Sequence, residues 1–416
     1  MAKKNTIVLI VITAILVLAL GIFLLFFTSP KTQTPIDNQS SNSPFGNYTG
    51  SSSTTPSSNT GLTTGGDAST QYINNPASPL IKISTVPIAG AEAFGRKVTS
   101  TTTTSIVRYI ERATGHATEY DRSTYLISTV SNKTIPSVYK AWWSGDNVIA
   151  QFFLEQNKNI VKTFTGNLPS TISSTTQLTG SFLTDDIYTL AISPEGKRVF
   201  VLPQGDNAIG SISNLDGTKK TPILNFPFNE WAAQWPSENT ITLTTKPSFN
   251  TSGYMYFLST AGVMTKAIGN IAGLTTLTSP DLGYTIYSTS NNSGISTGIY
   301  NFKKNVVFAF NNGTLPEKCV WSKQNKTTAY CAVPTIIPIG NYPDDWYQGN
   351  ISFVDNIYKV DLLLSAVQLI YKLPTNQSID AINLFLDAKE ENLYFTNKND
   401  YYLWGLTVKG LTPINQ

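Results

Sequence analysis

The chain has 416 residues, with 29 Lys and Arg against 26 Asp and Glu, one His and two Cys. From residue 80 onward 26 basic residues face 24 acidic ones, which leaves no basic stripe for a phosphate backbone and argues against nucleic acid as a partner. Two thiols and one imidazole make a poor metal-ligand set, and no phosphate loop or dinucleotide fingerprint is visible, so no metal and no cofactor are expected.

After a five-residue tip, residues 6–27 (TIVLIVITAILVLALGIFLLFF) carry no charge. As a helix this run would span ~33 Å, the thickness of a hydrocarbon core. It is longer than the apolar region of a signal peptide and lacks an Ala-x-Ala site, so it reads as an uncleaved anchor. Lys3 and Lys4 flank one end and Lys31 the other. The positive-inside rule therefore leaves the N-terminus in the cytoplasm and the rest of the chain extracytoplasmic, as a single-pass protein of the cell membrane. Residues 28–79 are rich in Ser, Thr, Asn, Gly and Pro, with only Lys31, Asp37 and Asp67 charged. Such a segment cannot offset its ordering entropy and reads as a flexible tether with an r.m.s. reach of ~40 Å.

The remaining chain, residues 80–416, repeats one hairpin. Its turns are Trp143-Ser-Gly-Asp-Asn, Ser193-Pro-Glu-Gly, Trp235-Pro-Ser-Glu-Asn, Ser279-Pro-Asp-Leu-Gly, Trp321-Ser-Lys-Gln-Asn and Asp387-Ala-Lys-Glu-Glu-Asn. Each lies between runs rich in Val, Ile, Thr, Tyr and Phe, which suit pleated strands. Pro presets one turn dihedral, while Gly or Asn supplies the positive φ. Ser193 and Ser279 are 86 residues apart with Trp235 almost midway, and Ser279 and Ser322 are 43 apart. Four short strands per ~43 residues is the period of a propeller blade.

The expected fold is all-β: a β-propeller of seven four-stranded blades at about 80–135, 136–181, 182–226, 227–269, 270–312, 313–374 and 375–416. Six- and eight-bladed rings stay open, because the first two blades are irregular. A pair of β-sandwiches is the structural rival, but it would not explain the interval. The turns resemble the Ser-Pro-Asp-Gly-Lys repeat of TolB-like and WD-repeat-like propellers, best at Ser193-Pro-Glu-Gly-Lys197. With its anchor, tether and Tyr342-Pro-Asp-Asp-Trp-Tyr347 loop, the chain is similar to membrane-anchored propeller proteins of small-genome bacteria. That resemblance implies a propeller on a membrane anchor and carries no activity with it.

Three groups of residues are candidates for more than architecture. Cys319 and Cys331 flank the hairpin CVWSKQNKTTAYC, which sets them opposite one another for a cross-strand disulfide; two reduced, buried thiols are the alternative. The sixth interval, from Ser322 to Asp387, is 65 residues long and holds the insertion PTIIPIGNYPDDWYQGNISF. Within it Asp344, Asp345, Trp346 and Tyr347 would set acidic acceptors beside aromatic faces, a combination that suits a sugar ring, a peptide or a cationic side chain. In the plainer alternative the aromatics pack on the blade edge and the carboxylates cap a turn. His116 sits in ERATGHATEYD near Arg108, Glu111 and Arg112, a cluster that more simply reads as a solvated strand face. Trp142, Trp143, Trp231 and Trp235 recur near blade positions, as core packing would require.

Enzyme signatures are weak. Ser279-Pro-Asp281-Leu-Gly283-Tyr-Thr285 fits the Asp box of sialidase-like propellers once. A sialidase needs arginines from several blades, and all five (Arg96, Arg108, Arg112, Arg122, Arg198) lie in the first half. No Gly-x-Ser-x-Gly elbow accompanies His116. Paired carboxylates for glycoside cleavage stay open, because sequence does not show which acids meet. The sequence thus points to a non-catalytic binding scaffold for a protein, peptide or glycan of the cell envelope. The alternatives are a carbohydrate-active enzyme with paired carboxylates at the axial face and a structural tether between membrane and wall.

Overall fold

The computed structural model describes residues 70–72, 78–97, 99, 103–154, 157–169, 176–205, 209–228, 230–291, 294–310 and 312–414. The apolar run 6–27 and most of the tether lie outside the described residues. Among the described residues no helix is long and apolar enough to cross a membrane.

Seven antiparallel sheets make up the fold. Blade I takes residues 88–131, blade II 138–182, blade III 187–225, blade IV 231–272, blade V 275–310, blade VI 319–372 and blade VII 381–407. Each is a meander that starts at its innermost strand and moves outward. Innermost strands touch between blades I and II, III and IV, IV and V, and VI and VII, and that of blade VII (Ala381–Leu386) meets that of blade I (Ile88–Lys97), closing a ring.

Two strands depart from the sequence expectation. Leu80–Lys82 does not open blade I; it pairs antiparallel with Trp404, Gly405 and Leu406 as the outer strand of blade VII. The ring is therefore shut by backbone hydrogen bonds between the two ends of the domain. Thr70–Tyr72, inside the expected tether, pairs with Leu126–Ser128 as a fifth strand on blade I. Pairing along an outer edge uses only backbone groups, so a composition too polar to form a core does not forbid it.

The six repeated turns all join the first and second strands of a blade, and in four of them a Ser or Asp side chain caps the turn. Ser193 Oγ accepts from Arg198 N at 3.0 Å, and Ser279 Oγ accepts from Tyr284 N at 2.9 Å. Ser322 Oγ accepts from Asn325 N at 2.7 Å, and Asp387 Oδ1 accepts from Glu391 N at 2.9 Å. The side chain replaces a missing ladder partner at the tightest part of the chain. The Asp-box pattern belongs to the same series: Asp281 Oδ1 accepts from Ser279 Oγ at 2.7 Å and Gly283 N at 3.0 Å.

Among the described residues the apolar core is divided into separate clusters. Apolar clusters lie between neighbouring blades, such as Trp321 and Cys331 with Ile286 and Ile299 between blades V and VI. Trp143, Trp235 and Trp404 are buried in such seams, whereas Trp142 is only partly covered. Gly90 shows how close the inner strands come: a Cβ there would stand 1.9 Å from the Ala141 carbonyl oxygen of blade II. Cys319 and Cys331 face each other in register on the first two strands of blade VI, and their sulfurs are bonded.

Candidate functional site

Because each blade is a four-strand meander, the repeated turns fall on one face of the ring. The loops between second and third strands, with the inter-blade crossovers, fall on the other. The sixth-blade insertion, residues 335–354, joins the second and third strands of blade VI and so lies on this crossover face.

The insertion is a strap tied down at several points. A single helical turn, Asp344–Tyr347, carries Trp346 into a pocket with Leu315, Tyr342 and Phe353, where it is 3% exposed. Its indole Nε1 donates to Asp380 Oδ2 at 2.9 Å on the approach to blade VII. Asp344 reaches the other way: Oδ1 accepts from Ser248 Oγ at 3.0 Å and Oδ2 from the Phe249 amide, both in a loop of blade IV. Asp345 Oδ2 accepts from Asn341 N at 2.7 Å and holds the turn itself. Tyr347 donates its hydroxyl to Glu317, while its ring stays 46% exposed. Burial, then the Glu317 carboxylate, holds that phenol well above its ordinary value, so it stays a donor. All four loop residues picked out by sequence are thus engaged in holding the strap, and of them Tyr347 is the exposed one.

Beneath the strap is a charge cluster that sequence reasoning missed. The Lys318 ammonium is wholly buried and donates to Asp355 Oδ2 at 2.8 Å, to Asp380 Oδ1 and to the Ala381 carbonyl at 3.0 Å. It also lies 5.5 Å from the Trp346 ring and 5.3 Å from the Phe353 ring. Burial pushes the Asp355 carboxyl up to about 6, with Lys318 pulling it down and Asp380 pushing it up. Two carboxylates do meet here, at the crossover-face ends of blades VI and VII. They share one cation, and both are 0% exposed.

The strap also forms one wall of an open cleft of about 630 Å³ on blade IV. Its lining includes Phe226, Phe228, Trp231, Tyr254, Tyr256 and Asp344. Phe228 and Tyr256 each meet the Trp231 ring edge to face, at centroid distances of 5.0 and 5.7 Å. Phe226 and Phe228 remain 39% and 37% exposed, and Lys246 and Glu230 pair across the rim at 2.9 Å. The sequence signal was FPFNEW (226–231), an aromatic alternation in a crossover rather than a strand. A cleft of this size, with flat apolar walls and a few polar groups, has the form of a ligand site.

The structure does not gather the residues around His116 into a site. Its ring nitrogen lies 3.3 Å from Thr134 Oγ1 in an exposed position. Arg108 is buried against Glu119 at 2.6 Å and the Leu168 carbonyl at 2.8 Å. Arg112 donates to the Tyr139 carbonyl at 3.1 Å, and Glu111 accepts from Thr114 at 2.7 Å.

One further acid lies on the innermost strand of blade I. Glu92 has a buried carboxylate oxygen without a hydrogen-bond partner. Burial pushes the group up to about 7, with Lys323 and the Gly145 amide pulling it down. Since the folded value is raised, ionisation of Glu92 removes stability as the pH rises from about 4.5 to about 7. Glu92→Gln is therefore expected to exceed the parent by about 2–3 kcal/mol near pH 8 and to match it below about pH 4.5. Denaturant unfolding at both pH values checks this, and equal stabilities near pH 8 would show the carboxylate to be well solvated.

No family model and no curated protein matches the chain. Among solved structures it is similar to an oligogalacturonate lyase from Vibrio parahaemolyticus, with a TM-score of 0.50 and 10% identity over 80% of this chain and 98% of that one. This is a seven-bladed β-propeller. The tricorn protease is also similar, with a TM-score of 0.48 and 11% identity over 81% of this chain, which spans only 34% of that protein. TolB from Acinetobacter baumannii follows with a TM-score of 0.38 and 10% identity over 77% of this chain and 79% of that one. At such identities the likeness concerns the fold, and propellers host both binding and catalysis.

Proposed function

We propose that this chain is a membrane-anchored, extracytoplasmic propeller that binds a protein, peptide or glycan of the cell envelope on its crossover face, without chemistry of its own. The aromatic cleft of blade IV carries the proposal. Sugar rings and peptide side chains gain most from flat aromatic walls with a few fixed polar groups, which Phe226, Phe228, Tyr254 and Asp344 supply. The uncharged run 6–27, the Ser/Thr-rich tether and the disulfide all suit a domain displayed outside a membrane. A tether raises the effective concentration of a partner near the membrane without adding contacts.

For the rival reading, an enzyme with paired carboxylates at the axial face, the buried pair that the structure offers is Asp355 and Asp380. The two share the one Lys318 cation, and Trp346 Nε1 and the Phe353 amide donate to Asp380.

The test is capture of partners from solubilised envelope by the full chain, beside a Phe226→Ala, Phe228→Ala variant checked for native circular dichroism. A partner held by the parent and weakened about tenfold or more in the variant is expected. Undiminished binding by the variant would remove the cleft from the proposal. Glycan cleavage by the parent would replace the proposal with the enzyme reading.

A further inference from the structure

On the opposite face, where blades VII and I close the ring, a groove of about 350 Å³ is lined by Phe94, Ser105, Arg122, Lys389, Asp387 and Glu391 among others. Its polar groups are unevenly matched. The nearby acids are occupied: Asp387 accepts from the Glu391 and Asn392 amides and from Asn392 Nδ2, and Glu391 pairs with Lys409 at 2.6 Å. Asp121 accepts from Thr104 Oγ1 at 3.0 Å and Ser123 Oγ at 2.6 Å.

The cations are not matched in the same way. Arg96, Arg108 and Arg198 each pair with a carboxylate. Arg122 instead donates to neutral atoms, Asn392 Oδ1 at 3.4 Å and Thr407 Oγ1 at 2.9 Å, and its guanidinium lies 4.9 Å from the Tyr125 ring. Among the described residues neither Arg122 nor Lys389 has a carboxylate at ion-pair distance. Ser105 Oγ is buried without a hydrogen-bond partner. Beneath the groove Tyr120 lies beside Arg122 and Tyr394 beside Ser105; these two residues are 0% and 1% exposed. Burial raises both phenols, so both stay protonated donors.

Arg122 and Lys389 thus line an open groove beside Ser105, and the two acids in the same lining, Asp387 and Glu391, are already engaged by amides and by Lys409. We propose that this seam groove is an anion site, which takes the carboxylate or phosphate head of a small ligand between Arg122 and Lys389. The planar guanidinium fork gives such a head two parallel hydrogen bonds, and Lys389 adds a point charge from the rim. Since Arg122 already ties blade I to Asn392 and Thr407 of blade VII, a bound anion also strengthens the closure of the ring.

The test is calorimetric titration of the full chain with inorganic phosphate and, separately, with acetate, at ionic strength held constant with chloride. Saturable binding of at least one is expected, and the tighter of the two identifies the head group. Lys389→Gln, at an exposed position, should weaken it about tenfold, and Arg122→Lys should weaken it at least as much. The parent should also melt at a higher temperature in the bound anion than in chloride. No saturable binding of either anion would overturn the proposal, as would Lys389→Gln binding like the parent. Should Arg122→Lys fail to fold, Lys389→Gln decides alone. The Phe226→Ala, Phe228→Ala variant lies on the other face and should bind as the parent does, so the two sites are judged separately.

Discussion

Lys318→Met is expected to destabilise the domain by about 3–5 kcal/mol at neutral pH, although methionine fills nearly the same volume. The reason is what stays behind. Asp355 and Asp380 are both 0% exposed, and Lys318 is the cation that holds them together. Without it two carboxylates face one another in a dry site, and Asp355 already has one oxygen without a hydrogen-bond partner. The pH dependence distinguishes this from a packing fault. In the parent the Asp355 value is raised from 3.8 to about 6, so its ionisation costs stability as the pH climbs through that window. Loss of Lys318 raises the folded-state value further and extends the cost upward. The deficit of the variant should therefore be largest at neutral and alkaline pH and shrink as the pH falls below about 5. Denaturant unfolding at about pH 7.5 and about pH 4.5 measures both quantities. A deficit that does not change with pH would show that Lys318 matters only for its methylenes.

Trp346→Ala should cost about as much, roughly 3–5 kcal/mol. The indole is 3% exposed, packs on Leu315, Tyr342 and Phe353, and donates to Asp380. Its removal leaves a cavity beside a buried carboxylate that has lost a donor. Trp346→Phe keeps most of the packing and should cost less, about 1–3 kcal/mol, chiefly for the missing donor. The effect should also travel. Trp346 and Asp344 share one helical turn, and Asp344 fastens that turn to Ser248 and Phe249 at the edge of the cleft. A strap freed at Trp346 should therefore weaken binding at Phe226 and Phe228, to which Trp346 contributes no contact. Denaturant unfolding and partner capture by the same variant check the two effects. A loss of under about 1 kcal/mol in Trp346→Ala would mean that the strap is not held from below.

The architecture was legible because its signals are short. Ser193, Ser279 and Ser322 each cap a turn within five residues of themselves, and the strands beside them alternate within one hairpin. Such patterns depend only on local φ and ψ and on which side chains share a face, so composition and spacing carry them. Cys319 and Cys331 were placed opposite one another by the same local geometry. The assignment of Leu80–Lys82 to the first blade was not corrected by any local feature, because the strand is equally suited to either sheet. Only closure of the ring brings it to Trp404–Leu406.

The candidate sites divide along the same line. The sequence drew attention to the insertion through its length and its Asp-Asp-Trp-Tyr composition. It did not show that Asp344 and Trp346 would be turned to fastening the strap while Phe226 and Phe228, more than a hundred residues earlier, would supply the open aromatic surface. Lys318, Asp355 and Asp380 are unremarked singly, as are Arg122 and Lys389. Each acquires its chemistry when blades far apart in the chain are stacked side by side. By itself the sequence determined the repeat, its turns and the facing of its two cysteines, because these are settled within a hairpin. The tertiary structure decided which charges are buried, which aromatics stay open and where the ring closes, because burial and electrostatic pairing depend on neighbours that only the closed ring supplies.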